Sequence, residues 1–555
     1  MIRQFNRQKR LQVWGRLTGS RGQERLQPRP RSMTALLYLC LLSGMGGLSA
    51  TAAAAEVVAT QTGPVSGFTQ DGVTAWLGIP YAAPPIGDLR WKPPQPPATW
   101  QRIYSATRFA PSCIQPLRDQ GIAYYFGDDP IAEDCLYLNI WRPEGTPPDS
   151  KLPVIVYIHG GGFVAGSGRK PLYQGDRLAS HGAVVVSINY RLGALGFLAH
   201  PALTAESPNH VSGNYGLMDQ VAALEWVKAN ITKFGGDPNR VTLMGQSAGS
   251  MSISALQVSP GAEGLFHRII GMSGSTFSNL TAARTLADAE SKGAAFQKKL
   301  NAADLAAMRR IPPDAIIAAG MPSSAIIDGL VIPGKPSELY AAGRFSDVPL
   351  LLGVVQDEGL GKPITSLTEY RQEFSQRFGE NASSAMALYP ATDDASAKHA
   401  YSRLLHDSGF SSMMRNWAAL QTKHGKQPVF AYIFAQKHPY TPGVWFSDLD
   451  PLDTGVNHTD EVGYWLGSLD SFNLMRKTRA WTAQDRKLSD DLQSAAVAFA
   501  ATGSPDTQKI SLKWPTYGAG QERVLRIVVP VSIIEWPNAD KIEKINSFKQ
   551  VVPSP

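Results

Sequence analysis

One serine in this sequence stands in a setting that suits nucleophilic chemistry. Residues 245–249 read GQSAG, follow a short apolar run at 241–244 and precede a run that is compatible with a helix. Glycines on both sides of the serine let the chain double back sharply between a strand and a helix, which lifts the hydroxyl above the edge of a sheet. The pattern predicts Ser247 as a nucleophile, and the alternative is an ordinary serine in a turn.

Three consecutive glycines lie in the segment HGGGF, residues 159–163, directly after an apolar run. Such a run costs folding entropy, so a packing role explains it poorly, whereas its N–H groups can approach a ligand closely. We predict that the amides of Gly161 and Gly162, together with that of Ala248, stabilise an oxyanion. A flexible surface loop is the alternative. His159 is expected to make structural hydrogen bonds.

A serine nucleophile needs a base, and the chain contains ten histidines. His458 has the most supportive context, because its segment GVNHTDE follows an apolar run at 429–434, and loops at the carboxyl edge of a sheet gather catalytic groups. Hydrolases with this kind of serine turn carry the acid between the serine and the histidine in chain order. Asp357 and Glu358 directly follow another apolar run. The residues alone leave the choice between these two acids open, with a solvated turn as the alternative.

Unbroken apolar runs of strand length recur along the chain, at 153–158, 183–188, 241–244, 349–355 and 429–434. Strands without polar alternation are buried on both faces, so these runs predict a mostly parallel central sheet covered by helices. Helical patterns lie between the runs, the clearest at 217–234. The fold class is therefore α/β, with a single domain over residues 56–555. Helix-and-loop insertions at about 276–345 and 360–425 are expected over the active site, as parts of the pocket walls.

Residues 1–55 have the pattern of a secretion signal. A basic stretch precedes an uncharged run from Met33 to Ala55, which has an apolar centre at 36–42 and ends in four alanines. We predict cleavage near residues 55 and 56 and a periplasmic or secreted protein. An uncleaved membrane anchor is the alternative. The second half of the run is mostly Gly, Ser, Thr and Ala, which partition weakly into lipid, so the mature protein is expected to have no stable membrane span.

The charge distribution argues against a nucleic-acid partner. The chain carries a net charge of +7, but residues 1–55 contain nine basic residues and one acidic residue, so the remainder carries a net charge of −1. A folded body this close to neutral presents no basic surface to phosphates.

The number of cysteines is compatible with one disulfide. Cys40 lies in the predicted signal, which leaves Cys113 and Cys135, the right parity for a single bridge in an oxidising compartment. In the chain-entropy model, closing a loop of this size stabilises the fold by about 3 kcal/mol. Two buried thiols are the alternative.

Together these segments resemble the type-B carboxylesterase family, which includes cholinesterases and bacterial esterases of the α/β-hydrolase fold. The likeness covers nearly all of the chain after residue 55. It rests on the serine and glycine segments, the turn at 357–359, and the histidine segment with Tyr464 and Gly467. Further ordered motifs are GIPYA at 78–82, LRW at 89–91, EDCLYLNI at 133–140, NYGL at 214–217 and FGGDPNRVT at 234–242. A bacterial secreted member of the family is expected.

The resemblance implies Glu358 as the acid, since in that family the glutamate of an Asp-Glu-Gly turn holds this role. It likewise implies a bridge between Cys113 and Cys135. One position departs from the cholinesterases, which have an acidic residue just before the nucleophile, near their cationic ligand. Here that residue is Gln246, which weakens the case for a choline ester. Esters with uncharged or acidic groups remain open.

The sequence therefore predicts hydrolysis of small-molecule carboxylic esters through an acyl-enzyme intermediate, with Ser247, His458 and Glu358 as the triad and no metal or organic cofactor. An amidase or thioesterase could use the same residues. A catalytically inactive binding homologue is the rival from another class, although such a protein would be free to lose the serine or the histidine. Aromatic residues that could line the substrate pocket are Tyr124, Tyr125, Phe126, Trp445, Phe446 and Tyr464.

Overall fold

The computed structural model describes residues 56–277, 284–320, 324–359, 361, 363–510, 512–518 and 520–548, so the signal predicted over residues 1–55 lies outside them. The strands are β1 Val57–Ala59, β2 Pro64–Ser66, β3 Phe68–Gln70, β4 Val73–Pro80, β5 Tyr104–Ser105, β6 Ser112–Cys113, β7 Ile131–Ala132, β8 Tyr137–Pro143, β9 Leu152–Ile158, β10 Val184–Ile188, β11 Gly236–Gln246, β12 Arg268–Met272, β13 Leu350–Val355, β14 Val429–Phe434, β15 Arg523–Ile527 and β16 Ser532–Glu535. The α-helices are α1 Asp176–Ala179, α2 Gly193–Phe197, α3 Pro201–Glu206, α4 Tyr215–Asn230, α5 Ala248–Leu256, α6 Leu286–Lys299, α7 Leu305–Arg310, α8 Pro313–Ala318, α9 Pro336–Ala341, α10 Leu367–Phe378, α11 Ala382–Leu388, α12 Asp394–His406, α13 Ser412–His424, α14 Val462–Leu466, α15 Ala483–Thr502 and α16 Ala539–Ser547. Among the described residues, no helix combines the length and apolar character needed to cross a bilayer.

Eleven of the described strands form one sheet, in the order β16-β15-β14-β13-β12-β11-β9-β10-β8-β4-β3. The strands from β15 to β10 run parallel to one another, and antiparallel pairs close both edges of the sheet. The prediction of a large, mostly parallel central sheet is confirmed. Each of the five apolar runs in the sequence forms a strand of the parallel part, and the structure adds β12 and β15 to them.

The central strands are buried on both faces because helices cover the sheet on each side. Alternate residues of a strand point to opposite faces. Along β9, Val154 and Val156 belong to one hydrophobic core, which α4 and α5 complete, whereas Ile155 and Tyr157 belong to a second core completed by α14 and α15. The sheet is thus held between two helical layers, and its strand ends are fixed where the loops of the functional site begin.

The helix predicted over residues 217–234 forms, beginning slightly earlier. Its α-helical part, α4, ends at Asn230, and a 3-10 turn continues it to Phe234. Gly235 then adopts a φ of +80°, the left-handed conformation for which glycine is suited at a helix end. Strand β11 begins at once with Gly236, earlier than the apolar run indicated, and its pairing with β9 is irregular before Val241.

The insertions expected at about 276–345 and 360–425 are largely helical and contain α6 to α9 and α10 to α13. A π-helical turn, Asp407–Ser411, joins α12 to α13 and buries Phe410. The ring of Phe410 stacks on His458, with ring centroids 4.5 Å apart. His406 of α12 also contacts the site, since its Nδ1 lies 2.8 Å from the Glu358 carbonyl oxygen. The second insertion therefore packs against the residues behind the site, whereas the walls of the cavity described below come from other segments.

Candidate active site

Ser247 occupies the turn that joins β11 to α5, between Gln246 at the end of the strand and Ala248 at the start of the helix. Its φ is +56° and its ψ is −125°, a conformation that side-chain-bearing residues rarely adopt and that stores strain. A Cβ on Gly249 would lie 2.0 Å from the carbonyl oxygen of Ile158 in β9, so the close approach of the turn to the sheet requires glycine there. These features fit the turn that the sequence predicts for a nucleophile.

The glycine loop leaves β9 and lines the same cavity as Ser247. Gly161 and Gly162 have φ values of +113° and +64°, and a Cβ on Gly161 would lie 2.0 Å from the carbonyl oxygen of Ala165. Their N–H groups donate to no acceptor in the part of the chain that the structure describes. The N–H of Ala248 lies in the first turn of α5, where a helix provides no acceptor of its own. All three amides are therefore available to an oxyanion formed beside Ser247.

His159 anchors the start of the glycine loop. Its ring is buried and stacks on Tyr190, with ring centroids 4.4 Å apart, and its Nδ1 lies 2.9 Å from the carbonyl oxygen of Gly160. The Tyr190 hydroxyl donates to the carbonyl oxygen of His159 at 2.9 Å. Burial lowers the pKa of His159 to about 4, so the ring is neutral at physiological pH. These contacts match the structural role expected from the sequence.

The acid that contacts the predicted base is Glu358, in the turn after β13. One of its carboxylate oxygens accepts from the backbone N–H of Val355 at 2.9 Å, and the other accepts from Nδ1–H of His458. Its neighbour Asp357 instead accepts from the backbone N–H of Val456 at 3.0 Å. The structure therefore favours Glu358 over Asp357, the choice that the residues alone left open.

Donation from Nδ1 to Glu358 fixes the tautomer of His458 and leaves Nε2 as an acceptor. The side-chain amide nitrogen of Gln246 lies 3.1 Å from this Nε2. No hydrogen bond joins the Ser247 hydroxyl to His458 among the described residues, although both residues line the same cavity. Catalytic hydrogen bonds often form fully only when substrate is present. In the structure the Gln246 amide, and not the Ser247 hydroxyl, therefore lies beside Nε2.

A second buried carboxyl group, Glu461, lies behind the first and was given no role from the sequence. It accepts from the Ser273 hydroxyl at 3.0 Å and from the Tyr432 hydroxyl at 2.6 Å. Burial, and then the nearby charge of Glu358, raise the pKa of Glu461 to about 8. At neutral pH Glu461 therefore holds a proton, and Glu358 is the carboxyl group that contacts His458.

Asp460 connects the turn that carries the predicted base to the cavity wall. One of its oxygens accepts from the backbone N–H of Asn457 at 2.7 Å, and the other accepts from the Tyr124 hydroxyl. Behind it, His438 donates from Nε2 to the Asp460 carbonyl oxygen at 2.9 Å and accepts at Nδ1 from Nε–H of Arg479 at 3.1 Å. Asp460, His438 and Arg479 are all buried; burial raises the pKa of Asp460 to about 6, and the nearby charge of Arg479 opposes that rise. The only sequence signal for this network was an acid two residues after the histidine.

The cavity that contains Ser247 and His458 has a volume of about 390 Å³, within the range typical of small-molecule sites. Three of the predicted pocket aromatics, Tyr124, Tyr125 and Phe126, line it. The rest of its lining consists of the glycine loop, Gln246, Thr459, and two further groups of residues: Gln115, Pro116, Leu117, Arg118, Gly127, Asp128, Asp129 and Ile131, and Gly166, Lys170, Leu172 and Tyr173. The walls thus come mainly from residues 115–131 and from the loop after β9.

The structure does not place the other three predicted aromatics in this cavity. Tyr464 is buried in the second core and donates to Asp485 at 2.8 Å. Phe446 is buried against Tyr440, and Trp445 is 66% exposed at the surface. Large aromatic side chains fill cores wherever space allows, so an aromatic residue near a motif in sequence does not identify a pocket wall.

A disulfide between Cys113 and Cys135, the pair implied by the resemblance, closes the segment that forms one cavity wall. Cys113 ends β6, and Cys135 lies just before β8 of the central sheet. Tyr124, Tyr125 and Phe126 lie within the loop that the bridge closes. The disulfide therefore tethers both ends of this wall, and its β8 end lies beside the sheet.

Comparisons with known proteins show which family the chain belongs to. The sequence model of the carboxylesterase family matches residues 54–544. This chain belongs to the carboxylesterase family. Fumonisin B1 esterase of Sphingopyxis macrogoltabida is 39% identical over 82% of this chain and 84% of that protein. Para-nitrobenzyl esterase of Bacillus subtilis (strain 168) is 35% identical over 88% of this chain and 98% of that protein. Among solved structures, a PNB esterase matches with a TM-score of 0.75 at 33% identity, covering 89% of this chain and 99% of that chain.

The family, the α/β-hydrolase fold and the ester-hydrolase activity predicted from the sequence are therefore confirmed. This carboxylesterase hydrolyses carboxylic esters by the serine mechanism of its family. The geometry around Ser247 supplies the parts that such a mechanism needs: a strained serine turn, a histidine held by a buried glutamate, and unpartnered backbone amides.

Proposed function

We propose that this carboxylesterase cleaves small-molecule esters with Ser247 as nucleophile, His458 as general base and Glu358 as the acid that orients the histidine. The contact between the Glu358 carboxylate and Nδ1 of His458, in a cavity that Ser247 also lines, is the observation that carries the proposal. The opposite nitrogen of the imidazole is thereby left as an acceptor on the cavity side, which is the protonation state that a general base requires.

The reaction proceeds by acyl transfer in two steps. Nε2 of His458 takes the proton of the Ser247 hydroxyl while the serine oxygen bonds to the ester carbonyl carbon. The resulting oxyanion accepts hydrogen bonds from the amides of Gly161, Gly162 and Ala248. The ester C–O bond then breaks, and the alcohol leaves with the proton from the imidazolium. Water repeats the sequence on the acyl-enzyme, which releases the carboxylic acid and restores the serine.

Small esters of both aryl and alkyl alcohols fit a partly open cavity of about 390 Å³ lined by aromatic and polar groups. The names of the relatives support a panel for the first screen, namely a para-nitrobenzyl ester and fumonisin B1 beside p-nitrophenyl acetate. Comparing p-nitrophenyl acetate with p-nitroacetanilide tests reaction class, because the two release chromophores from an ester and an amide with the same acyl group. We expect turnover of the ester and little of the anilide.

The decisive variant is Ser247→Ala, with Ser254→Ala as its matched control in the same helix region. Ser254 allows the same truncation at a residue that does not line the cavity; its hydroxyl donates to the Met251 carbonyl oxygen and accepts from the Thr276 N–H, each at 2.9 Å. Removing a nucleophile of a hydrolytic triad costs at least about a thousandfold in kcat/KM. We expect that loss in Ser247→Ala with an unchanged thermal transition, and near-normal activity in Ser254→Ala. A folded Ser247→Ala variant that keeps wild-type turnover would refute the assignment.

We also propose export, with cleavage near residue 55 and a mature enzyme formed by one domain over residues 56–555, in the periplasm or outside the cell. The basic stretch and uncharged run of residues 1–55 support this, and so does the disulfide, since such bridges persist mainly in oxidising compartments. Mass spectrometry of the intact protein from the native host tests it. Protein in the medium or periplasm that begins near Glu56 is expected, and full-length protein confined to the cytoplasm would contradict it.

A further inference from the structure

The charged side chains that line the catalytic cavity differ in whether they have a partner inside the protein. Four charged side chains line it: Arg118, Asp128, Asp129 and Lys170. An ester that carries a charge of its own would be selected by whichever of these groups lacks a partner inside the protein, because a paired charge offers little to a ligand.

Both carboxylates of the cavity wall are engaged. Asp129 accepts from the Ser112 hydroxyl at 2.9 Å and pairs with Lys170 at 2.9 Å and with Arg169 at 3.3 Å. Asp128 is exposed and is hydrogen-bonded to Tyr125, which leaves its negative charge in place, and it pairs with no cation among the described residues. Of the two carboxylates, only Asp129 is therefore neutralised by cations.

One of the two cations is engaged as well. Lys170 donates to the Gly127 carbonyl oxygen at 2.8 Å in addition to its pair with Asp129. Arg118 makes no ion pair with any carboxylate in the described part of the chain, and its side chain is exposed. Its charge nevertheless reaches the glycine loop, since after burial it contributes to the lowered pKa of His159. Among the charged side chains of this lining, Arg118 is thus the one with neither an ion pair nor a hydrogen bond to another described residue.

The residue before the nucleophile adds no negative charge to the cavity. Gln246 is neutral, and its side chain faces His458 at 3.1 Å. Glu358 is buried and already bonded to His458 and to the Val355 N–H, so its charge is shielded from ligands. A planar guanidinium can bind a carboxylate through two parallel hydrogen bonds. A substrate without a carboxylate offers it no such pair.

From this geometry we propose that Arg118 recognises a second, ionised carboxylate carried by the substrate, so that the enzyme prefers esters of dicarboxylic or polycarboxylic acids or of hydroxy acids over their neutral counterparts. This inference rests on the proposed function at Ser247, because it concerns which ester enters the same site. Arg118 acts here as a specificity-determining residue at the cavity wall and takes no part in the bond-breaking steps.

The test uses two matched pairs of esters with the mature enzyme. On the acyl side, p-nitrophenyl hydrogen glutarate is compared with p-nitrophenyl methyl glutarate, which masks the free acid. On the alcohol side, 3-acetoxybenzoate is compared with its methyl ester. Each is assayed with the wild type, Arg118→Gln, Arg118→Lys and the control Arg371→Gln, which removes an exposed arginine of α10 that does not line the cavity.

We expect the wild type to favour the anionic member of at least one pair, and the favoured pair shows whether the carboxylate belongs to the acid or to the alcohol. Arg118→Gln should lower kcat/KM for that anionic ester about five- to tenfold, mainly through KM, because an exposed charge-assisted pair is worth about that much. The neutral ester should change by less than about twofold. Arg118→Lys should retain part of the preference, and Arg371→Gln all of it.

Equal kcat/KM values for both members of both pairs in the wild type would overturn the inference, and so would a preference that survives intact in Arg118→Gln. In either case continued Ser247-dependent hydrolysis of the neutral esters would leave the proposed function standing. If instead no ester is cleaved in a Ser247-dependent manner, the proposed function itself fails, and the two failures are thus distinguishable.

Discussion

The buried carboxyl of Glu461 makes a specific prediction about how stability depends on pH. Replacing Glu461 by Gln keeps the shape of the side chain. Its oxygen can still accept from Tyr432, and its amide can donate to Ser273 once the Ser273 hydroxyl turns from donor to acceptor. What the variant loses is the ability to ionise. The difference in free energy of unfolding between wild type and Glu461→Gln therefore isolates the titration of this one group.

The sign follows from the pKa of Glu461, which folding raises from 4.5 to about 8. Below pH 4.5 the carboxyl is protonated in both folded and unfolded protein, so its contribution to stability is complete. Above pH 4.5 the unfolded chain releases the proton while the folded protein retains it. The contribution to stability therefore falls steadily with rising pH, and the fall ends once the pH passes about 8. Each pH unit within this window lowers the free energy of unfolding by about 1.4 kcal/mol. From pH 5 to pH 7 the free energy of unfolding of the wild type should fall by roughly 3 kcal/mol relative to that of Glu461→Gln.

Urea unfolding followed by tryptophan fluorescence at pH 5, 6, 7 and 8 measures this difference. The control is Glu225→Gln, which alters an exposed glutamate of α4 that is solvated in both states. Esterase activity of Glu461→Gln should stay within about tenfold of wild type, because the charge that orients His458 is on Glu358. A difference in unfolding free energy between wild type and Glu461→Gln that is flat from pH 5 to pH 8 would refute the reasoning.

Three further predictions follow from the same contacts. His458→Ala should lower kcat for p-nitrophenyl acetate by roughly a millionfold and Glu358→Gln by roughly ten-thousandfold, because orienting the base matters less than having it; a reversal of that order in steady-state assays would contradict their roles. Asp460→Asn should lower the free energy of unfolding by roughly 1–3 kcal/mol, since it removes one of the two buried acceptors used by the Asn457 N–H and the Tyr124 hydroxyl, and a thermal transition equal to that of wild type would be inconsistent with the network. Replacing Cys113 and Cys135 together by Ser should cost about 3 kcal/mol in urea unfolding, and an unchanged midpoint under non-reducing conditions would rule out the bridge.

Much of the site could be predicted from the sequence because its main parts are local. The turn around Ser247 and the glycine loop each follow a single apolar strand, so the position of the backbone amides can be read from a few adjacent residues. The parallel sheet could be predicted for the same reason, since its central strands are continuous apolar runs. Those runs also place the ends of β13 and β14 at one edge, near which Glu358 and His458 meet.

The remaining parts depend on contacts between residues far apart in the chain. Glu461 acquires its proton from burial between Ser273 and Tyr432, and no local pattern indicates that environment. The position of Asp460 likewise depends on Tyr124, more than 300 residues earlier, and on His438, which Arg479 contacts from behind. For the pocket aromatics, closeness in sequence was misleading. Tyr464 lies close to His458 in sequence, but its side chain packs into the core.

The central claim is that Ser247 becomes covalently acylated, and active-site labelling tests it most directly. The wild-type enzyme is incubated with a p-nitrophenyl dialkyl phosphate, which transfers its phosphoryl group to an activated serine and releases p-nitrophenolate, and the modified residue is located by tandem mass spectrometry of a proteolytic digest. The account predicts one equivalent of p-nitrophenolate, loss of esterase activity in step with labelling, and a dialkyl phosphate on Ser247. A label on another residue that abolishes activity while Ser247 stays unmodified would contradict it.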